Sequence, residues 1–405
     1  MSEPAEIGAR VRTIRRRRGL SLETAAGLAG ISKPYLSMLE SGRRRFERRG
    51  LLEDLARALG CAVTDLTGEP YLPGDRAMAE AHATLPEISI ALFDATLDDV
   101  PDLPARPVGD LAALARAANA ASAESRYSLA GRELGALLTE LHIHAVTGEP
   151  DTRRAALGAL TEACFVAAGN ARNLGSHDLA MHAAKRGEEA ARRLADPALA
   201  AFAAMTSTSA LSRMGARHRA QRVAAAALAA VEPHADPSGD APETAEAAGM
   251  LHLSSAQMAA KDQDPSRADD HLREAAALAA RTGERNTLQF SFGPANVRAW
   301  SLSVAVELGQ GTARAETIAG TNGYDVDLVT ADRRAALHFD LARGFAQAEG
   351  SRDAEAVRHL DLADRIAPQR VRNDPVAREV VAVLDRRARR AAWELDSLRN
   401  RFGVG

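Results

Sequence analysis

The sequence predicts an all-α protein that is divided into domains. Three observations lead to this prediction. Alanine, the strongest helix former, is abundant along the whole chain. Valine, isoleucine and the aromatic residues never alternate convincingly with polar residues, as they do in half-buried strands. The length of 405 residues exceeds what one hydrophobic core usually organises, so we expect two or more domains or a repeat array.

Charge divides the chain into a basic head and an acidic body. Residues 7–57 contain 13 basic and 5 acidic residues, whereas 38 basic and 45 acidic residues lie from residue 71 onward. Such a basic head is typical of a nucleic-acid-binding module attached to a domain with another role. The less favoured alternative, on charge alone, is that the arginine runs at 15–18 and 43–45 are solvated surface charges.

Apolar spacing and capping residues predict the first two helices of the head. Apolar residues recur at helical spacing over residues 7–18, and Gly19 ends this helix. Ser21 is the expected N-cap of a second helix over residues 22–29. The small residue Ala26 would allow this helix to cross a neighbour closely.

A third helix over residues 33–40 completes a helix-turn-helix pattern. Gly30 tolerates the positive φ that the turn requires, Ser32 is the expected N-cap, and Pro34 fits the first helical turn. Leu36 and Leu39 point inward from this helix. A glycine turn between two short helices, with apolar residues around it, is typical of this motif.

The motif extends into a specific resemblance. Residues 11–45, VRTIRRRRGLSLETAAGLAGISKPYLSMLESGRRR, and residues 51–68, LLEDLARALGCAVTDLTG, resemble the lambda-repressor/Cro-type helix-turn-helix domain of the XRE family. The resemblance covers residues 7–68 and implies a five-helix DNA-binding domain. Two positions depart from the family pattern: Leu22 replaces a polar residue that touches phosphate, and Phe46-Glu47 replaces the usual proline after the turn.

The resemblance implies that the helix over residues 33–40 lies in the major groove with its N-terminal residues against base edges. Lys33 can donate to guanine, Ser37 can bond to a base or a phosphate, and Pro34 can contact a thymine methyl group. Arginines would bind phosphate, which positions the protein without reading sequence. The expected DNA-contacting residues are Ser32, Lys33, Pro34, Tyr35, Ser37, Met38, Arg15, Arg18, Arg43, Arg44 and Arg45.

Two residues of the third helix have alternative interpretations. Tyr35 could be a half-buried packing residue or a base contact. Glu40 is expected to form a structural ion pair with an arginine of the first helix or of the turn, since a carboxylate facing phosphate would repel it.

One such domain reads few base pairs, so we expect a homodimer on a palindromic operator in double-stranded DNA, with half-sites about one helical turn apart.

Irregular segments divide the rest of the chain. Residues 67–74, TGEPYLPG, end the head, and residues 98–109, DDVPDLPARPVG, follow one or two short helices. The predicted domains are a DNA-binding domain at 1–68, a linker with short helices at 69–109, a repeat sensor domain at 110–372 and a C-terminal capping or dimerisation helix at 373–405, itself spanning about residues 375–402.

Residues 110–372 are predicted to form an α-solenoid of tetratricopeptide-like helical hairpins. In such hairpins the second helix carries two small residues seven positions apart, so that neighbouring helices approach closely. This spacing occurs at Ala180/Gly187, Ala220/Ala227, Ala268/Ala275 and Ala356/Ala363. Alanine-rich helices also produce the spacing by coincidence, and antiparallel helical pairs would be expected even then.

One segment of the repeats is equipped to bind a ligand. Residues 287–300, TLQFSFGPANVRAW, concentrate aromatic residues beside amides and a cation, in a chain with 4% aromatic residues. Ligand pockets combine apolar walls with a few polar groups, although each aromatic residue could also be ordinary core. The candidate ligand-binding residues are Gln289, Phe290, Phe292, Asn296, Arg298, Trp300, His338 and Phe339.

The whole architecture resembles regulators that join an XRE-type domain to tetratricopeptide repeats, including peptide-responsive quorum-sensing receptors and a group of actinobacterial regulators, which the alanine and arginine bias favours. The resemblance implies a transcriptional regulator whose DNA affinity changes when a small peptide or metabolite binds the repeats. An open alternative is that the repeats bind a partner protein, such as a sigma factor, an antisigma factor or a toxin. A closed groove would favour a ligand, and a broad exposed apolar strip a protein.

Enzymatic and membrane functions have little support. The sequence contains no P-loop, GxSxG, HExxH or dinucleotide-binding motif. The histidine pairs 142/144 and 177/182 do not place both rings on one helical face, and the two cysteines lie far apart. No run of 18 apolar residues and no N-terminal hydrophobic signal occurs. We therefore expect a non-enzymatic, cytoplasmic protein without cofactor, metal or membrane span.

Overall fold

The computed structural model describes residues 7–44, 46–69, 76–239, 241–388 and 393–404. All regular secondary structure within these ranges is helical, as the sequence predicts. None of their helices combines the length and apolar character needed to cross a bilayer. The helices are α1 (Ile7–Arg17), α2 (Leu22–Leu28), α3 (Lys33–Glu40), α4 (Arg49–Leu59), α5 (Val63–Thr67), α6 (Arg76–His82), α7 (Leu85–Asp94), α8 (Val108–Ala123), α9 (Tyr127–Gly131), α10 (Leu134–Thr147), α11 (Pro150–Asn173), α12 (His177–Leu194), α13 (Pro197–Arg213), α14 (Arg217–Val231), α15 (Pro242–Lys261), α16 (Pro265–Thr282), α17 (Pro294–Glu307), α18 (Gly311–Ala319), α19 (Ala331–Ala346), α20 (Asp353–Ile366), α21 (Pro368–Val371), α22 (Pro375–Arg387) and α23 (Trp393–Phe402).

Helices α1 to α5 form the head, and the predicted five-helix domain is confirmed. The Ser21 hydroxyl accepts a hydrogen bond from the backbone N–H of Thr24 at 3.0 Å, and the Ser32 hydroxyl accepts one from Tyr35 at 3.3 Å. Both bonds satisfy backbone donors that a helix start leaves free. Gly30, in the turn between α2 and α3, has a φ of +68°. The head core contains Ile7, Val11, Ala26, Leu36, Leu39, Leu55 and Leu66.

The body is an α-solenoid of helical hairpins, as predicted. Helix α11 packs against α12, and the same pairing joins α13 to α14, α15 to α16, α17 to α18 and α19 to α20. The first helices of successive hairpins also pack on one another. Ala180, Ala220, Ala268 and Ala356, which were expected to allow close approach, are fully buried. Membership of the tetratricopeptide class stays a prediction.

The region between the head and the first long hairpin is packed onto the body. Helices α6 and α7 fall within residues 69–109, where short helices were expected. Helix α7 packs against α10 and α12, with Ile88 and Leu92 fully buried. Helix α8 packs in turn against α10 and α11.

The C-terminal segment differs from the expected single helix over residues 375–402. Helix α22 ends at Arg387, and the next residue, Ala388, leaves the helical conformation with a ψ of 117°. Residues 389–392 lie outside the described residues. Helix α23 then packs against α20 and α22 and buries Leu395 and Leu398, so the end of the solenoid is covered.

Candidate DNA-binding surface and repeat-domain cavity

Helix α3 presents its N-terminal residues to solvent. Ser32, Lys33, Pro34 and Ser37 are all exposed, on the face opposite to the buried leucines of the helix. The Lys33 ammonium lies 3.6 Å from the exposed carboxylate of Glu23 in α2, an ion pair that water and salt weaken. The exposed edge of α3 can therefore offer hydrogen-bond donors and one cation to the edges of bases.

Two of the predicted DNA-contacting residues are half-buried. Tyr35 packs against the head core, as its packing interpretation requires, and Met38 is also only partly accessible. Both lie on the helix that carries the exposed residues, so their accessible atoms border the same surface.

Arg15 lies inside the head and not on its surface. Its guanidinium donates to both carboxylate oxygens of Glu40, at 2.5 and 2.8 Å, and to the Leu20 carbonyl at 2.9 Å. The hydrogen bond to Glu40 raises the pKa of Arg15. The ion pair expected for Glu40 is thus present, and the expected phosphate contact of Arg15 is unavailable because that group is buried and occupied.

The other predicted phosphate contacts lie at the surface. Arg18 is exposed, although its guanidinium donates to a backbone carbonyl of the head at 2.7 Å. Arg43 is exposed, and Arg44 is exposed and pairs with Glu349 in the loop between α19 and α20. Arg45 lies outside the described residues.

The head docks on the body through the first turn of α4. The carboxylate of Glu307, at the end of α17, accepts the backbone N–H groups of Arg49 at 3.2 Å and Gly50 at 3.3 Å. The side chain of Arg48, the residue before this helix, makes no capping hydrogen bond. Burial opposes the charge of Glu307, but Arg343 and Lys261 together hold its pKa below the usual value. A residue of the repeats therefore supplies the N-cap of a head helix.

Buried ion pairs surround this contact. Glu53 of α4 accepts hydrogen bonds from Arg217 at 2.8 Å and from Lys261, all three being buried. Arg49 pairs with Asp374 at the start of α22. Burial disfavours the charge of Asp374, but Arg49 and then Arg213 lower its pKa to about 2.

A close backbone approach accompanies these ion pairs. A Cβ atom added to Gly50 would lie 3.1 Å from the carbonyl oxygen of Lys261 and 3.2 Å from its Cα atom. A side chain at this position would therefore push α4 away from the end of α15.

A cavity of about 300 Å³ lies beside the docked head. Its walls come mainly from α11, α13, α15 and α19, which are first helices of hairpins, and from Arg49 of the head. The volume is at the lower end of the range for pockets that hold small ligands. The apolar part of the wall includes Phe165, Met205, Phe290, Trp300 and Phe339, and its cations are Arg49, Arg172, Arg213, Lys261, Arg333, Arg343 and Arg370.

The loop before α17 forms one side of the cavity and has an unusual backbone. Leu288, Gln289 and Ser291 have positive φ values of 51°, 64° and 53°, which non-glycine residues adopt only at a cost in free energy. Phe290 between them stacks on Phe202 of α13, with ring centroids 4.9 Å apart. The backbone conformation thus directs an aromatic ring toward the first helices of earlier hairpins.

The side chain of Glu246 in α15 holds this loop through hydrogen bonds. Its buried carboxylate accepts hydrogen bonds from Arg285 at 2.5 Å and from the Thr287 hydroxyl at 2.8 Å. Asn119 of α8 donates to the carbonyl of Leu288 at 3.1 Å on the other side. The N-terminal end of the strained segment is therefore held by α15 and by α8.

Half of the predicted ligand-binding residues line the cavity. Gln289, Phe290, Trp300 and Phe339 do so. The other four residues, Phe292, Asn296, Arg298 and His338, lie elsewhere: Phe292 and Asn296 are buried in the packing between helices, Arg298 is exposed, and His338 forms a buried pair with His359. The cationic wall was missed, because its residues come from helices far apart in sequence and adjacent only in the fold.

Metal ligands are not grouped in the described ranges. The rings of His338 and His359 approach to 3.1 Å between their Nδ1 atoms, and Asp325 lies 3.3 Å from His338. No group of three or more histidine, cysteine or acidic residues that could hold an ion occurs in the part of the chain that the structure describes.

Comparison with known proteins identifies the head. Residues 6–67 match the family described as "Helix-turn-helix domain". A search of curated proteins gave no match. Among solved structures, the crystal structure of Bacillus thuringiensis PlcR in complex with the peptide PapR7 and DNA is 12% identical, with a TM-score of 0.30, and the alignment covers 68% of this chain and 95% of that chain. A likeness at this level does not define the arrangement or the function of this chain.

Proposed function

We propose that this chain is a cytoplasmic, sequence-specific DNA-binding transcriptional regulator whose DNA affinity is controlled by a small peptide or metabolite bound to the repeat domain. The match of residues 6–67 to the helix-turn-helix family supports the DNA-binding part. The exposed N-terminal edge of α3 supports it as well, because this edge enters the major groove in such domains. The proposed domains are 1–68 for DNA, 69–109 as linker, 110–372 as tetratricopeptide-like sensor and 373–405 as cap or dimer seam.

Lys33 and Ser37 are the proposed base-reading residues, with Pro34 against a thymine methyl group. Ser32, Tyr35 and Met38 border them, and Arg18, Arg43, Arg44 and Arg45 are the proposed phosphate contacts. Since one head covers only a few base pairs, we propose a homodimer on a palindromic operator, as in actinobacterial regulators of this architecture.

The position of Arg49 supports the proposal that a molecule bound to the repeats changes DNA affinity. This residue is the first of head helix α4, and its side chain lines the cavity of the repeats. A molecule in the cavity would therefore touch the head directly. A ligand can change DNA affinity only if it binds more tightly to one of two states of the protein, with the head docked or undocked.

Genome-wide DNA capture with the purified full-length protein tests this function. The expected result is enrichment of one palindromic sequence, with half-sites about one helical turn apart. Binding to the recovered site is then repeated with culture extract added, and a change in affinity is expected. An empty capture would refute DNA binding as the function.

A partner protein is the second candidate for the repeat domain. It has support from exposed apolar side chains on α7, the linker helix that packs against α10 and α12 of the repeats, where Ile90 is 59% and Phe93 is 69% accessible. A captured site that is insensitive to every extract, together with loss of regulation on changing Ile90 and Phe93 to serine, would favour this candidate over a small ligand.

A further inference from the structure

The cations of the cavity fall into two groups. Four of the seven have carboxylate partners: Arg49 pairs with Asp374, Lys261 with Glu53, Arg343 with Glu307 and Asp340, and Arg370 with Asp332. The other three, Arg172, Arg213 and Arg333, form no ion pair with any residue in the described ranges. No carboxylate of the described residues contacts these three guanidinium groups directly, although Asp374 attracts Arg213 and Asp332 attracts Arg333 from a greater distance.

The three unpaired arginines have neutral partners or none. Arg172 donates to the Ser209 hydroxyl at 2.7 Å. Arg333 donates to the side-chain oxygen of Asn296 at 3.0 Å and lies over the ring of Trp300 at 5.4 Å. The guanidinium group of Arg213 has no hydrogen-bond partner within the described chain. These guanidinium groups keep most of their donors available.

Burial and mutual repulsion make these charges unfavourable. Burial, followed by the neighbouring cations Arg49 and Arg172, lowers the pKa of Arg213 to about 9. Burial likewise lowers the pKa of Arg333 to about 10, against the attraction of Asp332. Both groups stay protonated at pH 7, and both side chains are only partly accessible.

Unpartnered polar atoms lie in the same wall. The hydroxyl of Thr208, a residue only 2% exposed, has no hydrogen-bond partner among the described residues, nor have the Gln257 carbonyl oxygen and the Trp300 indole N–H. All three residues line the cavity. Buried polar groups are normally satisfied, and these three atoms are exceptions within the described chain. Phe290 and Met205 provide an apolar wall beside them.

We propose that the cavity binds a small organic anion, whose phosphate or carboxylate groups pair with Arg172, Arg213 and Arg333 and whose apolar part lies against Phe290 and Met205. This inference rests on the proposed function, for which it defines the chemical class of the effector. A guanidinium group binds either kind of oxyanion through two parallel hydrogen bonds, which is why the two classes share one site.

The same anion strengthens docking of the head. Docking brings the guanidinium of Arg49 toward Arg213 and Arg172, and Asp374 neutralises only part of the resulting repulsion. An anion among these cations removes the remaining repulsion and attracts Arg49. Ligand binding and docking therefore favour each other, and the coupling is the same in both directions.

Calorimetric titration of the full-length protein without DNA tests the ligand class. The probes are pyrophosphate, citrate, adenosine monophosphate and the uncharged nucleoside adenosine. Saturable binding of at least one anion with one site per chain is expected, and much weaker binding of adenosine. Binding of pyrophosphate but not of citrate would identify phosphate as the group recognised. Binding of citrate but not of pyrophosphate would identify carboxylate.

Matched variants locate the binding. Arg213→Gln should weaken the affinity for the anion by about tenfold, which is the effect of losing one charge-assisted contact. Arg213→Lys should retain most of the affinity. Arg222→Gln, on exposed residue 222 of α14, should bind as the wild type does. Anion binding that is unchanged in both Arg213→Gln and Arg333→Gln, or no saturable binding of any anion at millimolar concentration, would overturn the proposal.

Hydrogen exchange of the α4 amides tests the coupling. The bound anion should slow exchange of the Gly50 N–H, which Glu307 protects in the docked head. Arg49→Gln should bind the anion more weakly and show no such slowing. Faster exchange on anion binding would overturn the stated direction. The capture of an operator by anion-free protein is a separate measurement, so a failure of this inference is distinguishable from a failure of DNA binding.

Discussion

Glu307 of the repeats caps the head helix that begins at Arg49, through a hydrogen bond of 3.2 Å from the Arg49 backbone N–H. A helix start leaves its first backbone donors without partners in the helix. Here a residue of the other domain satisfies two of those donors when the two domains are in contact. The stability of the head is thereby linked to its position on the repeats.

Changing Glu307 to Gln should destabilise the docked protein. The substitution keeps the shape of the side chain but removes the charge that Arg343 and the α4 amides face, so we expect a loss of about 2–3 kcal/mol in unfolding free energy. Chemical denaturation measures this loss. The control Glu349→Gln breaks the exposed pair with Arg44 and should cost less than about 1 kcal/mol; equal losses in the two variants would contradict the capping role.

Changing Lys33 to Ala should relax the preference for one base pair of the operator. Lys33 is exposed at the start of α3, and loss of one base contact should cost about 1–3 kcal/mol at that position alone. Binding titrations against operators with single substitutions measure the effect. A loss of the same size on random DNA would show that Lys33 only contacts phosphate.

Changing Arg43 to Ala should weaken binding to all sequences alike. A phosphate contact releases counterions, so its loss should reduce the slope of log K against log salt concentration by about 1. Titrations on specific and random DNA over a range of salt concentrations test this expectation. Arg222→Ala, on the exposed face of α14, is the matched control and should leave the slope unchanged.

Changing Arg213 to Gln should stabilise the protein when no anion is present. The variant removes a charge that burial and the repulsion of Arg49 and Arg172 disfavour more than Asp374 favours it. We expect an increase of roughly 1–3 °C in Tm, measured by calorimetry in a buffer without polyvalent anions. A lower Tm than that of the wild type would indicate that Arg213 has a structural partner.

Acidification should destabilise the body through His142. Burial lowers the pKa of this histidine from its ordinary 6.5 to about 4, against the hydrogen bond to the Leu138 carbonyl. The unfolded chain therefore binds more protons between these values. This contribution to stability is complete above pH 6.5 and falls by about 3 kcal/mol as the pH drops to 4.

Denaturation of wild type and His142→Gln across pH 4–7 measures this contribution. Arg186 donates to the Nε2 atom of His142 at 2.6 Å, and the glutamine carbonyl can accept the same bond without titrating. The difference in unfolding free energy between wild type and His142→Gln should narrow as the pH falls. Parallel curves would show that His142 is not the group that titrates.

Local signals made the head predictable. Ser32 and Pro34 mark the start of α3, and the structure begins this helix at Lys33 and ends it at Glu40, the residues that were predicted. Capping and turn residues act within a few positions of the chain, so sequence alone reveals them. The ion pair of Glu40 followed from charge, but its partner Arg15 could be chosen only from the fold.

The cavity was less accessible to sequence reasoning. Residues 289, 290 and 300 stood out as a local aromatic and amide cluster, and they do line it. Phe292, two residues after Phe290, turns into the core because the backbone leaves its regular course at Leu288 and Ser291. Three arginines of the wall, Arg172, Arg213 and Arg333, lie 40 residues or more apart along the chain, and no linear motif marks them.

The contact between α4 and the repeats limits how freely the domains can be exchanged. Positions 49, 50 and 53 are selected by the body: an arginine that meets Asp374, a glycine that admits Lys261 and a carboxylate that meets Arg217. None of these requirements comes from DNA. A foreign helix-turn-helix domain grafted onto these repeats would be expected to dock as the native head does only if these three residues were transplanted with it.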